Sequence, residues 1–234
     1  MNHQPSSLLT RFRLTDDTLV IDLGTRRPVL SSAPRGGGFT RARYILNHQV
    51  PANPLRTGAS TPQPACCDPI RYLGRVAASV GADRQCVALM TAVSLKQLVT
   101  IREEVNGLWV EGFLTVGVTN AVRVGDPAVS SHAQAPGTIN IVLVTNARLT
   151  TSAMVGAVQV ATESKTAALM TEGVPSWTGQ PGATGTGTDA VAVVAGEGPF
   201  LRYSGTHTLI GELIGRVVAV GMKEGLARSA FLHH

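Results

Sequence analysis

Asp189 closes a run of glycines and threonines, "GATGTGTDAVAVV" at 182–194, and hands the chain to an apolar stretch. A carboxylate at such a junction can serve as a general base. The backbone N–H groups of Gly185, Thr186, Gly187 and Thr188 could hold a developing oxyanion. A second stretch, "SGTHTLIGE" at 204–212, sets Thr206, His207 and Thr208 just before an expected helix. Free N–H groups and the helix dipole favour negative charge there. Asp189 and His207 at two loop ends, with free backbone donors nearby, could supply a base and an oxyanion site. Each residue also has a plain reading. Thr208 can cap its helix, Glu212 and Arg216 have the spacing of an i, i+4 pair, and His207 can be a hydrogen-bonded turn residue.

Three further stretches join small and polar residues. "RGGGFTRARYILNH" (35–48) offers Arg35 and the glycines Gly36, Gly37 and Gly38, then Asn47 and His48. Three glycines let a backbone approach a ligand, and the alternative is a mobile loop. It is no P-loop, because the lysine and hydroxyl ending are missing. In "GTIN" (137–140), Asn140 falls among strand residues, where a buried amide needs a partner. In "ATESKT" (161–166), Glu163 shares a helical face with Gln159 and Thr166, either as a solvated face or as a cleft face carrying an acid. No GxSxG elbow, HExxH or zinc-deaminase pattern is present.

These residues need elements to hold them. "TLVIDLG" (18–24) and "RPVLSSA" (27–33) read as two short strands with Gly24 in the turn between. The Gly-rich stretch after them reads as a loop opening a short helix. "DPIRYLGRVAASVGA" (68–82) reads as a helix with Asp68 as N-cap, Pro69 in the first turn and Gly81 at the exit. "QCVALMTAV" (85–93) is a buried-strand candidate. Asn106-Gly107, between two apolar runs, marks a tight hairpin. "TINIVLVTN" (138–146) and "DAVAVVAG" (189–196) are apolar strands. Two long helices follow them: one capped by Thr151 or Ser152 and closed by Gly173, the other beginning after Thr208. The expectation is a single α+β domain over 16–230, a mixed sheet with two long helices packed on it, preceded by a loose leader over 1–15.

Composition narrows the function. Of the 234 residues 44% are hydrophobic, enough for a sizeable core, and no apolar run reaches the roughly 20 residues of a membrane span. The N-terminus lacks the pattern of a secretory signal, so the expected compartment is the cytoplasm with no membrane partner. Cys66 and Cys67 are adjacent and Cys86 stands apart, which makes a poor disulfide framework and no zinc motif. No residue set is assigned to a metal. The net charge is +5, but the arginines are scattered and only 4% of residues are aromatic, so nucleic acid is not an expected partner.

Taken in order, "GGGFTRARYILNHQVP", "GDPA", "GTINIVLV", "ATESKTAAL", "GTGTDAVAV" and "GTHTLIGELIG" resemble the adenosylcobinamide amidohydrolase family over roughly residues 30–220. The resemblance implies a role in cobalamin salvage: hydrolysis of the amide between the aminopropanol arm and the corrin ring of adenosylcobinamide, giving adenosylcobyric acid. It implies a small-molecule corrinoid as partner. The cobalt comes with the substrate, so no cofactor is required; divalent-metal dependence and homo-oligomer formation stay open. Thr119 stands where a glycine-like residue is expected before Asn120, a departure in local turn geometry. The resemblance supplies no catalytic set; for hydrolysis of such an amide, Asp189 or His207 would activate a water, and His207 or Glu163 would protonate the amine. Thr186, Thr188 or Thr206 is the rival nucleophile. Arg35, Gly36–Gly38, Asn47, His48, Asn120, Asn140, Gly185–Thr188, Thr206, Thr208 and Glu212 would line the substrate site. His48 or His207 could in principle ligate the substrate's cobalt. A non-catalytic corrinoid binder and a phosphate-handling enzyme are the alternatives.

Overall fold

A computed structural model describes residues 8–51, 68–82, 85–127 and 137–230. Cys66 and Cys67 lie outside the described residues. Among the described residues the main sheet has eight strands. Seven run in the order β4 (Val87–Thr91), β3 (Gly38–Gln49), β2 (Thr18–Ser31), β11 (Ala190–Val194), β8 (Ile139–Thr145), β6 (Leu108–Val116) and β5 (Val99–Val105), and β1 (Arg11–Leu14) pairs with β2. β1 and β11 lie against different stretches of β2: β1 against Leu19–Asp22, β11 against Val29–Ser31. The leader reading therefore fails for residues 11–14, which are strand. The two short strands expected over 18–33 are one long β2. Its register with β3 (Gly38–Gln49) shifts between Asp22 and Arg27, and Gly24 adopts φ 77° there. The alternating apolar residues resume in phase beyond the bulge, so the break is a kink rather than a chain reversal. The Gly-rich stretch opens β3 and no helix. Tyr44, Ile45 and Leu46 belong to a strand paired on both sides.

β3 and β4 (Val87–Thr91) fold across the inner face of β6 (Leu108–Val116), β8 (Ile139–Thr145) and β11. Leu19, Ile45 and Leu89 share one apolar cluster with Phe113, Val142 and Ala192. α1 (Pro69–Ser79) covers the other face of the β2–β4 wing through Leu73 and Ala77 against Val20, Leu46 and Ala88. It begins as expected, with Asp68 accepting from the N–H of Arg71 and Pro69 in the first turn.

The outer face of β6, β8 and β11 carries α2 (Thr151–Thr171) and α3 (Leu209–Ala230). Met154, Ala157, Ala161, Leu213 and Val217 pack there on Ile141, Leu143, Val191 and Val193. Thr150 caps α2, one residue before the expected caps, by accepting from the Ala153 N–H. β5 (Val99–Val105) and β6 meet at the expected hairpin, where Asn106 and Gly107 adopt φ 53° and 76°. Two small ladders complete the fold. β7 (Ala121–Val122) pairs with β10 (Gly185–Thr186), and β9 (Arg148–Leu149) pairs with β12 (Phe200–Leu201). Among the described residues, no helix is long and apolar enough to cross a membrane.

Candidate functional site

β8 and β11 run parallel, so their first residues open at one end of the sheet and their last at the other. Asp189 precedes β11 at the entry end. Its carboxylate accepts four hydrogen bonds: Oδ1 from the Ile139 N–H at 3.0 Å and the Thr186 hydroxyl, Oδ2 from the Thr186 N–H at 3.0 Å and the Lys165 ammonium. A carboxylate has about four lone-pair sites, so all are occupied. The Lys165 side chain is 9% exposed and that of Asp189 13%. A Cβ at Gly185 would stand 2.5 Å from Asp189 Oδ2 and 2.7 Å from Lys165 Nζ, so the backbone of Gly185 seals the ion pair.

The four bonds set the shape of the Gly185–Thr188 turn. Thr186 is held by its N–H and its hydroxyl. Gly187 and Thr188 project outward and are exposed. Among the described residues no acceptor faces their N–H groups. The Thr188 hydroxyl lies 2.6 Å from that of Thr138 and 3.2 Å from the Gly137 carbonyl, to which it donates. Asn120 comes to the same end: a Cβ at Gly137 would meet Asn120 Oδ1 at 2.5 Å. That Oδ1 is buried and has no hydrogen-bond partner among the described residues. Asp126, from "GDPA", accepts from the Ser176 hydroxyl and from the Arg123 N–H. These bonds hold its carboxyl below the usual range. They steady the chain beside β7, which pairs with Gly185 and Thr186.

His207 does not join this group. It is exposed and lies beyond the far end of β11. The Ser204 hydroxyl donates to the Ala153 carbonyl in the first turn of α2. Lys165 lies twelve residues further along α2, about 18 Å away at 1.5 Å per residue. The expected Asp189–His207 pair is therefore split between opposite ends of the sheet, because each parallel strand separates its own two loops. Thr206 is exposed at the His207 end. Thr208 accepts from the Gly211 N–H as a helix cap, and Glu212 pairs with Arg216 at 2.5 Å on the surface.

Glu163 also faces away. It is exposed in a shallow groove with Gln159, Thr166 and Met170, two residues and roughly 200° around the helix from Lys165. Asn47 and Asn140 are buried and used by the fold. The Asn140 amide donates to Asn47 Oδ1 at 2.9 Å and to the Met90 carbonyl at 2.8 Å, and the Asn47 amide donates to the Thr115 hydroxyl at 3.0 Å. They tie the folded-over wing to β6 and β8 rather than facing a cleft. His48 is buried, with Thr18 Oγ1 2.8 Å from Nδ1 and Tyr72 Oη 2.8 Å from Nε2, so neither nitrogen is open to a metal. Burial lowers its pKa below the ordinary 6.5.

Gly36 and Gly37 make a tight corner. A Cβ at Gly36 would meet the Cys86 carbonyl at 2.7 Å, and one at Gly37 the Ala33 carbonyl at 2.5 Å. Gly38 has φ 82° at the start of β3. Arg35 bridges to Ala88 of β4 through its backbone, and its guanidinium donates to the Ile70 carbonyl. It borders a surface cavity of about 620 Å³ with Arg26 and Arg41. Among the described residues no three His, Cys, Asp or Glu side chains gather as a metal site.

Lys165 and Thr138 are the residues that sequence reasoning missed. Lys165 lies on the α2 stripe of Ala157, Ala161 and Leu169, so a single cation at a core position was the available signal. Thr138 gave none beyond its place at a strand entrance.

The sequence profile of the family described as adenosylcobinamide amidohydrolase matches residues 5–233. The chain is 32% identical over 226 residues to a Methanosarcina mazei protein named adenosylcobinamide amidohydrolase, covering 92% of this chain and 97% of that one. It is 32% identical over 231 residues to an uncharacterized protein of Methanocaldococcus jannaschii, covering 90% and 86% respectively. Among solved structures it resembles the PH0078 protein from Pyrococcus horikoshii (TM-score 0.44, 9% identity, 97% of this chain and 82% of that one). It also resembles a Burkholderia sp. beta-aminopeptidase (TM-score 0.44, 14% identity, 91% and 78%).

Proposed function

The chain belongs to the adenosylcobinamide amidohydrolase family, and from that premise we propose that it hydrolyses the amide joining the aminopropanol arm to the corrin ring of adenosylcobinamide, at the entry end of β8 and β11. The observation that carries the placement is convergence. Stretches "GTIN", "ATESKT" and "GTGTDA", far apart in sequence, meet around Asp189, and β7, just before "GDPA", pairs with Gly185 and Thr186.

The Gly187 and Thr188 N–H groups receive the carbonyl oxygen as it becomes an oxyanion. One such donor typically contributes about 100- to 1000-fold in rate. A water held by the Thr188 hydroxyl attacks the carbonyl carbon. Thr188 takes a proton from that water while its own leaves the Gly137 carbonyl for the departing nitrogen. The C–N bond breaks, a C–O bond forms, and the products are a carboxylic acid and free aminopropanol. Asp189 is the frame of the turn in this scheme and not the base, since its lone pairs are filled.

Incubation with adenosylcobinamide, followed by mass analysis, should give adenosylcobyric acid and aminopropanol. Thr188→Ser should retain turnover and Thr188→Ala lose it, because the relay needs a hydroxyl. Binding of the corrinoid without release of aminopropanol would make the chain a non-catalytic binder and sink the proposal. Full turnover by Thr188→Ala would sink the relay.

A further inference from the structure

We infer that Lys165 is a positioning residue of this site, acting through Asp189 on the Gly187–Thr188 turn; the inference rests on the proposed hydrolysis for its kinetic consequence but not for its structural one. Only three of the 20 cationic residues are lysines. Lys165 alone of the three is buried, at 7% exposure. It stands where α2 otherwise presents alanine and leucine to the sheet. Placing a charge there has a high desolvation cost unless the charge is paired, and Asp189 supplies the pair.

Lys165 cannot be the group that meets substrate. Its ammonium points at Asp189 Oδ2, and the Gly185 backbone lies over both atoms. Its effect must pass through the carboxylate. Asp189 Oδ2 is shared between Lys165 and the Thr186 N–H, while Oδ1 is shared between the Ile139 N–H and the Thr186 hydroxyl. Rotation of the carboxylate would break the Thr186 bonds. Lys165 and Ile139 anchor its two oxygens from α2 and β8, so one rotamer survives. The turn that presents Gly187 and Thr188 is thereby tied to the helix layer and to the neighbouring strand. Gly185 completes the device, because any side chain there would force the pair apart.

The test uses Lys165→Met, which keeps length and bulk and removes the charge, with Asp189→Asn and the double variant beside it. The first readout is kinetic. Both single variants should lower kcat by about 100-fold or more, the scale of a lost oxyanion donor, with KM little changed. The double variant should fall no further, because the pair acts as one unit. The second readout needs no activity. Amide hydrogen exchange at Gly185–Thr188 should speed up in Lys165→Met while exchange in the core strands stays as in the wild type. Absence of turnover by the wild type would defeat the proposed hydrolysis and leave this second readout standing. Wild-type kcat and unchanged exchange in folded Lys165→Met would overturn the positioning role. If Lys165→Met does not fold, the double variant of Lys165→Met with Asp189→Asn, which leaves no unpaired buried charge, is read the same way. Collapse of both variants would assign Lys165 to the fold and overturn the inference.

Discussion

Asp189 stood out in the sequence as the only carboxylate in a Gly/Thr run, and the structure redefines its work. Its four hydrogen bonds make it the organiser of a turn. His48 shows the same limit of residue-level reading. Its neighbours in sequence suggested a ligand contact, but burial and two hydroxyl partners make it part of the wing packing. Burial disfavours its charged form, and nearby Asp17 only partly offsets this. The sign follows from linkage. The unfolded chain protonates this histidine near pH 6.5, before the folded one does, so its contribution to stability is full above that pH and is lost as pH falls below it. Denaturation midpoints measured from pH 8 to pH 5 should show this decline, flattened in His48→Gln. An unchanged decline in that variant would move its origin elsewhere.

At the scale of elements, the legible parts were those with local signals. The Asn106-Gly107 hairpin, the capped helix after Asp68 and the apolar β8 and β11 all follow from turn chemistry and pattern. The single long β2 did not, because a bulge and a turn carry the same local glycine. The strand after Gly36–Gly38 was also hidden, since glycines there serve a corner pressed onto β4 rather than a loop. Close approach recurs where α3 lies on β6. A Cβ at Gly225 would meet Val116 Cγ2 at 2.5 Å and Val116 Cβ at 2.8 Å. Helix propensity alone would credit Gly225→Ala with about 1 kcal/mol of added stability. The Cβ of Val116 is set by the strand backbone and cannot turn away, so overpacking decides the sign. The net effect should be a loss of about 1–2 kcal/mol in urea unfolding. A gain would mean that α3 shifts freely on the sheet.

For the whole molecule, the parallel pairing of β8 and β11 is decisive. It sorts the loops into two sets at opposite ends, and that sorting is topological and has no local sequence signature. The ordered stretches could therefore point to a family while leaving open which of them meet. The structure brings together those around Asn120, Thr138, Lys165 and Asp189, and sends His207 to the far end with Glu212. One measurement tests this directly: the initial rate of adenosylcobyric acid formation from adenosylcobinamide by the wild type, Asp189→Asn and His207→Ala, each confirmed as folded. An asparagine would set an NH₂ against the Thr186 N–H and release the turn. The account predicts a loss of about 100-fold or more for Asp189→Asn and a rate near that of the wild type for His207→Ala. Comparable losses in both, or a loss in His207→Ala alone, would contradict it.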